Sequence, residues 1–259
     1  MNQPYHPEAY WDKVAGNISE RDDVKIIAGD DEPYYRYKRK RFIELLDRLD
    51  LKGKSVLEIG SGPGGNLLHL STKNCKRLAG ADISSRMIEL ARKQLEGKNV
   101  EVFKTNGHEL PFPDRSFDLI FTSTVLQHNT DEKLLAALVN EIARVAAGEV
   151  VLFERIEAKI KGHETNLGRP VDYYQSLFEP QGFLLTQTVS MPIQASYYAC
   201  GMIRKVFNSS MRKEGEPLSK TSLVLENVVL PITRFMDHII PSRRDVMMLH
   251  FKKQFNQHQ

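Results

Sequence analysis

A hydrophobic run that stops at a cluster of glycines constrains this chain more than any other feature. Ser55-Val56-Leu57-Glu58-Ile59 reads as a short buried strand, and Gly60-Ser61-Gly62-Pro63-Gly64-Gly65 follows at once. Asn66-Leu67-Leu68-His69-Leu70 then opens a helix. Glycine tolerates positive φ and lets a ligand approach bare backbone. The helix start offers N–H groups with no partner inside the helix. Strand, glycine turn and helix make the first crossover unit of a doubly wound sheet, which binds ligands at the carboxyl ends of its strands.

Two motifs overlap in this stretch. Gly60, Gly62 and Gly65 fit G-x-G-x-x-G, the dinucleotide fingerprint. Glu58, Gly60, Gly62 and Gly64 fit E-x-G-x-G-x-G, which resembles the first motif of class I S-adenosylmethionine-dependent methyltransferases. A second strand, Arg77-Leu78-Ala79-Gly80-Ala81-Asp82, ends in a carboxylate about 20 residues past the glycines, the usual place for an acid that holds a ribose. Asp82 therefore supports a ribose-bearing cofactor without choosing between the two. Ser84 is placed to cap the next helix, whose stripe is Met87, Ile88, Ala91 and Leu95.

The following segments choose. Val100-Glu101-Val102-Phe103-Lys104 reads as a third strand. Leu110-Pro111-Phe112-Pro113-Asp114-Arg115-Ser116-Phe117-Asp118 then resembles the region before strand four of small-molecule methyltransferases, the ubiquinone/menaquinone-biosynthesis type among them. Strand four, Leu119-Ile120-Phe121-Thr122, runs on to Val125-Leu126-Gln127-His128, similar to that family's Val-Leu-x-His. Asp131 starts a helix carrying Leu134, Leu135, Leu138, Ile142 and Val145, with Gly148 as its stop. Val150-Val151-Leu152-Phe153-Glu154 is strand five. The resemblance spans about residues 40–155.

The resemblance implies an α/β fold: a doubly wound, seven-stranded, mostly parallel sheet of the class I methyltransferase type. It implies S-adenosylmethionine as cofactor and S-adenosylhomocysteine as product. Cofactor contacts would come from Glu58, Gly60, Ser61, Gly62 and Asn66, then Asp82, Ile83 and Met87, then Asn106 and Gly107, then Thr122 and Gln127. Asn106 stands where an acid is commoner, and its side-chain carbonyl can still accept from an adenine amino group. His128 and Glu154 are the catalytic candidates: a histidine at the cleft mouth suits a general base, and Glu154 is the second choice. No Asn/Asp-Pro-Pro-Tyr follows strand four, where Thr122-Ser123-Thr124-Val125 stands, which disfavours planar nitrogens of bases or glutamine. The acceptor is a small molecule offering a hydroxyl, carboxyl or amine. The alternatives are a nicotinamide-dependent oxidoreductase, or a protein that binds S-adenosylmethionine without catalysis.

The flanks are organised differently. Residues 1–40 are rich in aromatics and read as a lid or cleft segment. Gly29-Asp30-Asp31-Glu32-Pro33 marks a turn there. Residues 41–191 form the cofactor-binding core, and 244–259 its final strand and tail. Residues 192–243 separate the last two strands, and so long an unstructured loop is improbable in a compact domain. They read as an inserted helical cap over the cleft. Within residues 191–259, Arg204, Lys205, Arg212, Lys213, Arg234, Arg243 and Arg244 make a solvated cap surface or meet an anionic acceptor. Tyr34, Tyr35, Tyr37, Tyr173, Tyr197 and Tyr198 border the cleft or pack.

Composition excludes little but usefully. The 259 residues are 41% hydrophobic and 27% charged, ordinary for a globular protein. A net charge of +3 argues against a dedicated nucleic-acid binder. Cys75 and Cys200 supply neither a disulfide framework nor a zinc site, and the eight histidines, His258 the last, lack H-x-x-x-H spacing, so no metal is expected. No signal core or membrane span is visible, which points to a cytoplasmic monomer or homodimer.

Overall fold

A computed structural model describes residues 5–19, 32–210, 212, 216–242 and 245–254. The turn read at residues 29–31, and Lys213, Arg243, Arg244 and His258, lie outside the described residues. Two helices come first, α1 (Pro7–Ser19) and α2 (Pro33–Leu46). The crossover units follow: β1 (Ser55–Ile59), α3 (Gly65–Leu70), β2 (Arg77–Asp82), α4 (Ser85–Gln94), β3 (Glu101–Lys104), β4 (Phe117–Ser123), α5 (Glu132–Val145) and β5 (Ala146–Ile156). A short hairpin, β6 (Lys161–His163) and β7 (Asn166–Gly168), precedes α6 (Val171–Phe178). Then come β8 (Phe183–Ser190), α7 (Gln194–Phe207), α8 (Lys220–Ile239) and β9 (Asp245–Lys253).

Among the described residues, seven strands form one sheet in the order β3-β2-β1-β4-β5-β9-β8. β1 to β5 run parallel, and β9 pairs antiparallel with both β5 and β8. β1 is buried along its whole length, as a central strand covered on both faces must be. One core layer packs Leu57, Ile120 and Leu152 against Leu135, Leu138 and Ile142 of α5. The other packs Val56, Phe121 and Phe153 against Phe42, Leu45 and Leu46 of α2. Each such side chain contributes about 1.5–3 kcal/mol through its burial. Between β1 and β4 the strand order reverses, so a cleft opens at their carboxyl ends.

Three boundaries differ from the sequence reading. The division at residue 40 cuts α2, whose apolar face already begins at Tyr34 and Tyr37. α5 starts on Asp131, which accepts from the Lys133 and Leu134 amides, but ends at Val145 without a glycine stop. Gly148 lies inside β5. The insertion is helical, α7 and α8, but it packs against α2 beside the cleft rather than over it. Tyr197 is its one described residue among those lining the cleft between residues 192 and 242.

Candidate active site

The glycine turn is tight because its neighbour leaves no room. Gly60 has φ +70°, and a Cβ there would lie 2.2 Å from Val125 Cγ2 in the segment after β4. The turn is closed by Asp82, whose two oxygens accept from the Gly62 and Ser84 amides, each at 2.8 Å. Ser84 in turn caps α4 through the Met87 amide. Burial raises the Asp82 carboxyl above its usual range against these amides. A carboxylate has acceptor capacity beyond two amides, so Asp82 can still take a hydroxyl from the cleft it lines.

Glu58 sits beneath the turn, 1% exposed. Its Oε1 accepts from Asn66 Nδ2 at 2.7 Å, and its Oε2 is buried with no protein partner. Asn66 is held from its other side by Arg39, which also donates to the Gly65 carbonyl. Burial pushes the Glu58 carboxyl up to about 8, despite Asn66 and the nearby Arg39. The folded-state value lies above the ordinary 4.5, so this group's stabilisation is complete below about pH 4.5 and is lost as pH rises through about 8. We expect the melting temperature of the Glu58→Gln variant to gain on wild type as pH rises from 5 to 8. A constant difference across a ligand-free melting series would contradict this.

The cleft encloses about 870 Å³. Glu58, Gly60, Ser61, Gly62, Asn66, Asp82, Ile83, Met87, Gly107, Gln127 and His128 all line it. Three predicted residues do not. Asn106 is exposed, and its Oδ1 accepts from the His108 and Glu109 amides at 3.1 and 2.8 Å. A short polar side chain commonly turns back on its own backbone in this way. Thr122 is buried and donates to Glu154 Oε1 at 2.8 Å. Glu154 is also 0% exposed, and it accepts from Thr122 and from the Val125, Leu126 and Gln127 amides. It anchors the turn after β4 from below and is out of reach of a bound acceptor, which removes it as a base.

His128 ends that turn, the single 3₁₀ turn Leu126–His128. Its Nδ1 lies 2.8 Å from the Thr165 carbonyl, which can only accept, so Nδ1 carries the proton in the neutral ring. Its Nε2 then accepts from Gln127 Nε2 at 3.2 Å. Gln127 is oriented by its Oε1, which accepts from the Arg155 amide. Trp11 of α1 meets the imidazole edge-on, with centroids 4.9 Å apart. Buried Arg169 donates to the Leu126 and Asn129 carbonyls and fixes the turn from behind.

Several residues of the site carry no local sequence signal. Thr165 arrives on the β6–β7 hairpin, whose three-residue strands show no periodicity. Trp11, Arg39, Thr105 and Arg155 line the cleft from four separate segments. Trp11 could have been suspected only from the aromatic richness of residues 1–40. Among the described residues no three His, Cys, Asp or Glu side chains gather in a metal-binding group.

A doubly wound sheet with an acid-tipped β1, a glycine turn, an acid-tipped β2 and an ordered turn after β4 defines the class I S-adenosylmethionine-dependent methyltransferase fold. Residues 56–148 match the family model described as "Methyltransferase domain". That match extends through β4 and α5, beyond the first two strands that a dinucleotide site requires. The chain is 32% identical over 141 residues to O-methyltransferase rstn1 of Aspergillus nomiae, covering 52% of this chain and 55% of that one. It is 32% identical over 127 residues to the demethylmenaquinone methyltransferase of Thermotoga maritima, covering 48% and 52%. The chain thus spans about half the length of these curated relatives. The structure of SpnF, a (4+2)-cyclase, shares the fold at a TM-score of 0.62 and 15% identity, over 96% of this chain and 93% of that one.

Proposed function

We propose that this chain transfers a methyl group from S-adenosylmethionine to a small-molecule acceptor bound beside His128. One observation carries the reading: two buried carboxyl groups, Glu58 with an unpartnered oxygen and Asp82, face one cleft at the tips of adjacent strands. The first suits an ammonium group and the second a ribose diol. The unpartnered, buried Ser61 hydroxyl adds a third polar group to the same wall. The cleft volume accommodates a cofactor together with a small acceptor. When bound, S-adenosylmethionine supplies an electrophilic methyl group on a cationic sulfur.

The chain's own work is to position and to move a proton. Alignment alone can supply a large part of such an acceleration. Trp11, His128, Arg155, Asn166 and Tyr197 line the part of the cleft assigned here to the acceptor. The Thr165 carbonyl holds the imidazole so that the Nε2 lone pair is the proton acceptor. An acceptor hydroxyl displaces the Gln127 amide from Nε2 and donates there instead. Arg155 is paired with Glu157 at 2.8 Å, so this wall is polar without a large excess of charge. The same reading places the chain in the cytoplasm, as a monomer or homodimer.

Incubating the chain with labelled methyl donor and a metabolite extract tests this. Label should appear in a small-molecule fraction. Cofactor binding by calorimetry with no transfer into any fraction would leave a binding protein without methyl transfer. We expect Asp82→Ala to weaken S-adenosylmethionine binding by about 1.5–3 kcal/mol, the scale of lost hydrogen bonds to a charged group. Unchanged affinity in a folded variant would separate Asp82 from the ribose.

A further inference from the structure

α8 is built inside out. Ser222, Glu226, Thr233 and Asp237 point inward and are buried, with only Leu230 as an apolar residue among them. Val224, Val228, Ile232, Phe235 and Ile239 form the opposite stripe and are 62–69% exposed. Tyr198, Met202 and Val206 repeat the pattern on α7, with Phe207 beside its end. The buried polar stripe is fully used. Glu226 pairs with Arg204, Asp237 accepts from Ser196 and Tyr37, and the Ser196 oxygen, its one proton spent on Asp237, accepts from the Thr233 hydroxyl 2.9 Å away.

Nine large apolar side chains exposed on one pair of packed helices are more than the scattered single exposures of an ordinary surface and mark a face with a partner. The charges around it identify the partner's chemistry. α7 contains no acidic residue, and both acids of α8 are the buried Glu226 and Asp237. The exposed ionisable groups of the two helices, tyrosines aside, are therefore all basic: Lys205, Lys220, Arg234 and His238. On α8 the last three lie along one edge of the apolar stripe at helical spacing. Tyr198 adds a ring of the kind that favours a membrane–water boundary, and Phe207 and Phe235 add to the apolar face that an interfacial helix buries. A second copy of the same face would bring like charges together. An anionic, apolar-cored surface satisfies both the stripe and its edge.

We propose that the α7–α8 face seats this protein on an anionic lipid bilayer, lying in the interface without crossing it. Among the described residues no helix is long and apolar enough to span a membrane, and an interfacial helix pair does not need to be. The proposal does not depend on the methyl-transfer reading, because flotation and its variants are read without acceptor or methyl transfer, and S-adenosylmethionine affinity serves only as a second check beside melting temperature.

The test is flotation of the 259-residue chain with vesicles of phosphatidylcholine alone or of phosphatidylcholine mixed with phosphatidylglycerol. The chain should float with the mixed vesicles and not with the neutral ones, and added salt should release it. Ile232→Glu with Phe235→Glu should reduce binding by roughly tenfold or more. Lys205→Glu with Lys220→Glu should reduce it by roughly fivefold or more per group. All four side chains are exposed, so melting temperature and S-adenosylmethionine affinity should stay at the wild-type level and report folding. Failure to float with anionic vesicles, equal binding to neutral ones, or unchanged binding by either folded variant overturns the proposal. A dimer in sedimentation that Ile232→Glu dissociates, with no flotation, would assign the face to a second copy instead.

Discussion

Replacing His128 by alanine should lower kcat by about 10²–10⁴-fold, the usual contribution of a general base, with cofactor affinity nearly unchanged. Nδ1 is committed to the Thr165 carbonyl, so the neutral ring presents only Nε2 as an acceptor. Nε2 already receives an amide N–H from Gln127, which shows that its lone pair points at a donor position. The residue lines the same cleft as Glu58 and Asp82, but stands on the turn after β4 rather than at the tips of β1 and β2. The loss should therefore fall on kcat rather than on cofactor binding. Wild-type kcat/KM should also rise with pH and then flatten, because only neutral imidazole accepts a proton. His128→Gln should resemble the alanine variant. A kcat loss below about threefold, far under a base's contribution, would reassign His128 to acceptor orientation, as expected for an amine or an ionised carboxylate.

The Arg204→Ala variant should lose about 3–5 kcal/mol of folding stability, because it leaves a buried charge without its partner. Arg204 Nε donates to Glu226 Oε1 at 2.5 Å, and its Nη2 lies 3.3 Å from Glu32 Oε2. The Glu226 side chain is 0% exposed and that of Glu32 is 5% exposed. The guanidinium also stacks over Tyr35, 4.4 Å from the ring centroid. One cation thus joins α7, α8 and the start of α2. Removing Arg204 and Glu226 together, as Arg204→Met with Glu226→Leu, should recover much of the loss, since apolar replacement of a whole buried pair is often neutral. Chemical denaturation measures both. A loss below about 1 kcal/mol for the single variant, the level of a surface pair, would mean that solvent screens Glu226. Arg204, read from sequence as surface charge or as an anion contact, is in fact neutralised within the fold.

The parts of the chain that were legible are those where local pattern and burial agree. β1, the glycine turn, β2 and β4 are continuous apolar runs closed by turn residues, and a parallel sheet buried on both faces produces such runs. Asp82 was legible because a fixed distance from the glycines defines the tip of β2. The failures have physical causes. α8 shows strong periodicity, but its buried stripe is the polar one, and only the partners on α7 and α2 reveal that. Asn106 had a competing acceptor role in its own turn. Glu154 stands at a strand end as a catalytic acid would, but four donors converge on it from Thr122 and the turn after β4. Thr165 acts on His128 across a gap of 37 residues, which no motif records.

At the root of the α7–α8 hairpin the Met191 amide donates to the Val246 carbonyl at 3.2 Å. The two ends of the insertion are therefore already joined by the sheet, and the entropy of closing the excursion is met by the β8–β9 pairing. Such an excursion can be lengthened, recoloured or exchanged among descendants without rethreading the strands that hold Glu58, Asp82 and His128. The surroundings in which the chain works and the chemistry it performs are thereby open to separate inheritance.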